Sequence, residues 1–425
     1  MGFINKDKII KYLIIFLPVT LVLSIFFSEF VLFIISLFFI RDYLKEKERK
    51  KNFFYILLIF FVIYISFSSI SFDESFVLKS TFFYFRFLIY FFAIIYYLKK
   101  LDIYDFLIKS FILVSSVLLV DGIVQFFLGY NIIGIPQIHG GRVSSFFGDE
   151  LILGSYLVRF LPFFLIFFII NHKLNKKIQP IFLVMFLLVV ILSGERTALF
   201  FLFLYILIFF VFLKELRKII LFFSSLSLIV IFLLVTTNQN YHERYFYNLF
   251  NSFGLVSSSS GAVIGDTEVS FFNQKGEIKK IYIFSKQHEH HYHTAYKMFK
   301  DKIIFGHGAK SFRVKCKEEK YKISDLSCAT HPHNILMQYL SELGLIGFTF
   351  LFTFHILFIR ELTKIFKLHE DKKNEKKILL FSLCGIIVCM FPLIPSGNFF
   401  NNWLNIILIL NLANYIYFKE KYLNV

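Results

Sequence analysis

Apolar stretches of about 20 residues follow one another along most of this chain, each long enough to cross ~30 Å of hydrocarbon as a helix. The first runs from Ile9 to Phe27 and passes, through a turn expected at Ser28-Glu29, into a second. Further runs occupy residues 53–70, 81–98, 106–128 and 150–170. A seventh ends at Ser193, an eighth at Lys214 and a ninth near Thr236. A polar segment, 237–332, interrupts the series before three last runs at 335–359, 378–394 and 402–418. The pattern predicts an all-α polytopic membrane protein with about 12 transmembrane helices. It divides into an N-terminal bundle of about nine helices (1–236), a large loop (237–332) and about three C-terminal helices (333–425).

Charge refines this picture. Net charge is +17, which on its own would suit a nucleic-acid binder. The lysines and arginines, however, gather in alternate connections, such as Arg41–Lys51, His172–Lys177, Lys214–Lys218 and Arg360–Lys377. The intervening short connections carry only Lys79, Arg142 and Arg196. By the positive-inside rule both termini are cytoplasmic and loop 237–332 is external, and a nucleic-acid partner is not expected. Composition agrees, with 57% hydrophobic residues and a mean hydropathy of +0.68. The 63 phenylalanines read as packing and lipid-facing surface.

Within the loop, Ser257–Gly261 has the composition of a flexible connector. Residues 268–284 pattern as a hairpin turning at Asn273–Gly276, and Thr294–Lys300 as a helix broken by Phe305-Gly-His-Gly308. Small α/β elements are therefore expected in the loop. Cys316 and Cys328 both fall there and are expected to form a disulfide, contributing about 3 kcal/mol by closing a short ring. Cys384 and Cys389 lie inside a span as packing residues. The run His288-Glu-His-His-Tyr-His293 could put two imidazoles on one face, but no cysteine or distant carboxylate completes a metal site, and none is expected. Arg86 and Arg159 fall inside spans, where a guanidinium costs about 3 kcal/mol and faces an interior partner or cavity.

The densest chemistry lies where the loop meets the tenth run. His331 and His333 flank Pro332, Asn334 stands at an N-cap position, and Glu342, Gly344 and Gly347 follow along the helix. A titratable imidazole thus sits at a water-facing helix N-terminus, where anions are favoured. His333-Asn334, nine residues, then Gly344-Leu-Ile-Gly347 resembles the His-[Asn/Ser/Gln]-x9-Gly-x-x-Gly signature of the bacterial O-antigen ligase/polymerase family.

That resemblance implies a metal- and cofactor-independent glycosyltransferase of the bacterial inner membrane, similar in architecture to the C-type (GT-C-like) enzymes, with a large periplasmic loop. The donor would be a glycan on undecaprenyl diphosphate. The acceptor would be lipid A-core for a ligase, the reading the complete motif favours, or a second lipid-linked repeat unit for a polymerase. Carried onto this chain, His333 becomes the general base, supported by His331, Asn334, Glu342, Gly344 and Gly347. Arg196, then Arg244, then Arg142 become the donor diphosphate clamp. The chain departs from the family pattern at Glu195, whose carboxylate precedes Arg196 and could neutralise part of its charge. A lipid-linked sugar transporter, with Arg86 and Arg159 marking its path, is the rival from another class. A non-catalytic subunit of an export complex is a third.

Overall fold

A computed structural model describes residues 5–45, 53–68, 81–138, 140–171, 175–247 and 284–423. Each apolar run becomes a helix: α1 (Lys6–Leu23), α2 (Ile25–Tyr43), α3 (Phe53–Phe67), α4 (Arg86–Lys100), α5 (Tyr104–Leu128), α6 (Leu153–Ile170), α7 (Asn175–Leu192), α8 (Arg196–Phe212) and α9 (Arg217–Thr237). The loop contributes α10 (Lys286–Asp301). After it come α11 (Ile335–Phe366), α12 (Lys373–Met390) and α13 (Asn402–Leu423). Among the described residues, four helices are long and apolar enough to cross a membrane: α5, α6, Lys214–Thr237 and α11.

The α1–α2 junction lies earlier than the sequence suggested. Ser24 alone is extended (φ −169°), its hydroxyl accepting the Phe26 N–H and its N–H closing onto Thr20. Ser28 is instead buried inside α2, where its hydroxyl bonds Thr20 and the Ser24 carbonyl. Glu29 grips Arg86 through two hydrogen bonds of 3.1 and 3.2 Å.

Burial separates interior from rim. The most apolar window of α6 is 78% buried, that of α9 only 6%, so α9 turns its apolar side chains outward as a lipid-facing helix does. α13 packs on α12 and α4, and α12 on α6. Gly385 lets α12 approach both α13 and α6, because a Cβ there would meet Asn411 and Pro162. The asparagines of α13 are buried with partners: Tyr84 donates to Asn405 and Tyr104 to Asn414.

The basic helix ends meet at one end of the bundle. Lys6 and Lys100 pair with Asp42, Lys99 with Glu420, Lys419 with Glu361 and Lys377 with Glu215. At the other end the described part of the polar loop packs through α10 on the first turns of α11.

Among the described residues the loop is helical and contains no strand, only isolated bridges occurring elsewhere in the chain. The hairpin expected at 268–284 and the connector 257–261 fall outside the described residues, apart from Phe284. α10 begins eight residues before the expected start because Ser285 caps it, accepting the His288 N–H at 3.2 Å. Cys316 and Cys328 are joined by a disulfide with Cα atoms 5.2 Å apart.

Candidate active site

At the loop-covered end, the C-terminus of α7 presents four consecutive carbonyls, Ile191 to Gly194, which no i→i−4 bond of the helix takes up. Each is taken by a different side chain. Tyr245 donates to Ile191 O (2.6 Å) and Tyr241 to Leu192 O (2.7 Å). Arg142 Nε donates to Ser193 O (2.9 Å), and Arg244 Nε to Gly194 O. Gly194 makes the turn at φ +64°, and a Cβ there would press on both Arg244 and Arg142.

Because Arg142 and Arg244 are anchored through Nε, their terminal Nη groups remain without hydrogen bonds among the described residues. Arg196 opens α8 two residues further on. Burial, then the charges of Arg142 and Arg196, push Arg244 down to about 10. Three mutually repelling guanidiniums at a helix C-terminus make a site that an anion would relieve.

Glu195 does not quench this charge by direct contact. Its carboxylate faces the N-terminus of α6, accepting from Gly154 N (2.7 Å), Ser155 N and the Ser155 hydroxyl. There it satisfies orphan amides and complements the helix dipole.

Four imidazoles gather nearby. The His333 ring centroid lies 4.0 Å from that of His331, 5.3 Å from His291 and 5.5 Å from His288. The last two stand one turn apart on α10, held at its start by Ser285. His333 itself takes φ +56°, an uncommon conformation for a side-chain-bearing residue. Asn334 follows as the N-cap of α11, accepting the Met337 N–H at 3.0 Å. Burial lowers all four imidazoles: His331 to about 3, His288 and His291 to about 4, and His333 below its ordinary value. Arg196 adds to the lowering of His288, so the arginine and histidine groups feel one another. Among the described residues no three His, Cys, Asp or Glu side chains are disposed to hold a metal ion.

The connection between α12 and α13 stitches the two groups together. Thr197, the second residue of α8, donates to Pro395 O at 3.2 Å. The next residue, Ser396, donates its N–H to His333 O (2.9 Å), and its carbonyl meets His331 Nε2 (3.2 Å).

Residues 181–352 match the O-antigen ligase family. No protein of curated function matches the chain. The family match assigns residues 181–352 to an O-antigen ligase family domain. The chain is a multi-pass membrane protein with O-antigen ligase/polymerase-type glycosyltransferase character. The matched region contains Arg196, Arg244 and the whole His333–Gly347 motif, and leaves Arg142 outside.

Within the matched region the motif glycines serve packing. Gly344 (φ +64°) and Gly306 (φ +68°) lie where two backbones cross, and a Cβ on Gly344 would come within 2.4 Å of Ile304 O. The crossing is closed by four hydrogen bonds, from His307 N to Ser341 O through Ile346 N to Ile304 O. α11 widens into a π-helical turn at Tyr339–Leu343, and Tyr64 of α3 donates to Leu343 O (2.7 Å). A Cβ on Gly347 would strike Leu343. Glu342 is fully buried and accepts from Phe312 N (2.8 Å) and Gln338 (3.0 Å), tying loop to helix. Gln338 in turn donates to Asn398.

Of the two arginines inside the helices, Arg159 lines a small cavity together with Ile335 and Ser396. Arg86 is paired with Glu29, and Arg159 stands 5.6 Å over the Phe201 ring while donating to Ser155 O. The sequence reading missed His288 and His291 as neighbours of His333. Their i, i+3 spacing behind Ser285, itself an N-cap residue type, was the available signal. Tyr241 and Tyr245 carried none, since their carbonyl partners lie about 50 residues earlier.

Proposed function

We propose that this protein transfers a glycan from undecaprenyl diphosphate to an acceptor sugar hydroxyl at the periplasmic face of the inner membrane, as an O-antigen ligase acting on lipid A-core. His333 is the general base, and Arg196, Arg244 and Arg142 hold the donor diphosphate. The observation that supports this reading is the Thr197–Pro395–Ser396 stitch, which ties the start of α8, where Arg196 stands, to the backbone of His333.

The chemistry balances without a metal or cofactor. The acceptor oxygen forms a bond to the anomeric carbon as the bond from that carbon to the phosphate oxygen breaks. The acceptor proton passes to His333, and the electron pair stays on undecaprenyl diphosphate. In-line attack inverts the anomeric centre. A positioned imidazole contributes roughly 10²–10⁴-fold, and guanidiniums stabilise charge developing on the leaving diphosphate. About 12 spans with both termini cytoplasmic would put the site at the periplasmic surface.

The test is a His333→Asn allele in the native bacterium, because Asn tolerates the left-handed backbone better than Ala does. Loss of a ligase leaves bare lipid A-core and accumulates full-length glycan on undecaprenyl diphosphate. Loss of a polymerase leaves cores carrying one repeat. Normal glycans from a stably expressed variant would remove His333 from the reaction.

A further inference from the structure

A second cationic group borders the histidines, on the loop segment just before the disulfide. Residues 308–312 are locked from two sides. Ala309 N donates to the Ser68 hydroxyl at the end of α3 (3.1 Å), while Gly308 N and Phe312 N donate to the Glu342 carbonyl and carboxylate (both 2.8 Å). Between these anchors Lys310 is held at φ +63°, a conformation uncommon for a side-chain-bearing residue. Phe312 packs against His291, which itself stacks on His333. Arg313 follows, and its charge reaches His331.

The carboxylates near Lys310 are already engaged. Glu342 is taken up by Phe312 N and Gln338, and Glu29 by both nitrogens of the Arg86 fork. The Lys310 ammonium makes no hydrogen bond or ion pair among the described residues. Non-glycine residues held at positive φ concentrate at functional sites, and the other one in this region is His333.

We infer that Lys310, with Arg313 beside it, binds a phosphate group on the acceptor lipid, so that the acceptor hydroxyl is presented to His333 from a cationic site separate from the arginines that hold the donor. This rests on the glycosyl-transfer reading above. The ligand chemistry is a phosphate on a lipid-borne saccharide, which either lipid A-core or a lipid-linked repeat unit would supply. Burial and the neighbouring Arg313 and Arg86 push the Lys310 ammonium down to about 8, as expected of a cation waiting for a counter-charge.

The experiment measures equilibrium binding to the full chain in nanodiscs, with no turnover required. One arm uses lipid A-core and its dephosphorylated form. The other uses an undecaprenyl-diphosphate-linked repeat unit, with Arg244→Gln weakening the donor site. Lys310→Gly removes the ammonium and suits the left-handed backbone, so it should melt no lower than the parent. It is expected to weaken the phosphorylated acceptor by about tenfold or more, and Lys310→Arg is expected to restore it. The arm that responds names the phosphate's source. Unchanged affinity in both arms, or an equal loss for dephosphorylated lipid A-core, overturns the site. Lys310-dependent binding without any glycan transfer would sink the reaction while leaving the site standing.

Discussion

His333 is held where an imidazole would not settle by itself. Its left-handed backbone costs about 1–2 kcal/mol and is pinned by Ser396 on one side and the Asn334 cap on the other. Burial lowers its pKa, so the neutral, proton-accepting form persists as pH falls below about 6.5, the ordinary value. For a group that must be deprotonated to act, activity is lost only when pH drops through that lowered value. The acid limb of kcat/KM for glycan transfer is therefore expected below 6.5; a limb at or above it would remove the base assignment. The arginines carry a second residue-scale expectation. Arg244 spends Nε on Gly194 O and keeps its Nη fork without hydrogen bonds among the described residues, a division one ammonium cannot reproduce. Arg244→Lys should raise the donor KM by about tenfold or more with little change in thermal stability. An unchanged donor KM would exclude it from the clamp.

At the scale of elements, the Gly-x-x-Gly part of the motif does no chemistry of its own. It lets the loop backbone at 303–308 cross α11 at its π-helical turn, and that crossing sets where Glu342 can reach Phe312. Gly344→Ala drives a Cβ into the Ile304 carbonyl at positive φ. A loss of at least about 2 kcal/mol is expected, read as a lower melting temperature with glycan transfer falling alongside. A variant of normal stability would show that the crossing tolerates separation. The motif was legible in sequence as spacing. Its role as a backbone crossing was not, because Gly306 lies 38 residues earlier and nothing local marks it as the partner of Gly344. α10 was partly legible for a similar reason: its polar face hid the helix, and only the Ser285 cap signalled where it begins.

For the whole molecule, the ion pairs collect the basic helix ends at one end and the histidine and arginine groups at the other. A sidedness follows that labelling can check. Tyr296→Cys, on the exposed face of α10, should react with an impermeant maleimide in intact spheroplasts. Lys376→Cys, among the basic ends, should react only after permeabilisation. The reverse pattern would place the site in the cytoplasm and end the periplasmic reading.

By itself the sequence determined the helices, since runs of some 20 apolar residues have few other ways to satisfy their backbone away from water. It also marked His333 and Asn334, whose cap and motif are local. Tertiary structure decided which side chains share a site. Tyr241, Tyr245, Arg142 and Arg244 converge on four carbonyls at the end of α7 from segments about 50 residues away on either side. It also decided that Glu195 serves α6 instead of pairing with an arginine, and that His288 and His291 pack against His333. Such contacts depend on how helices pack in three dimensions, and periodicity along one helix carries no record of them.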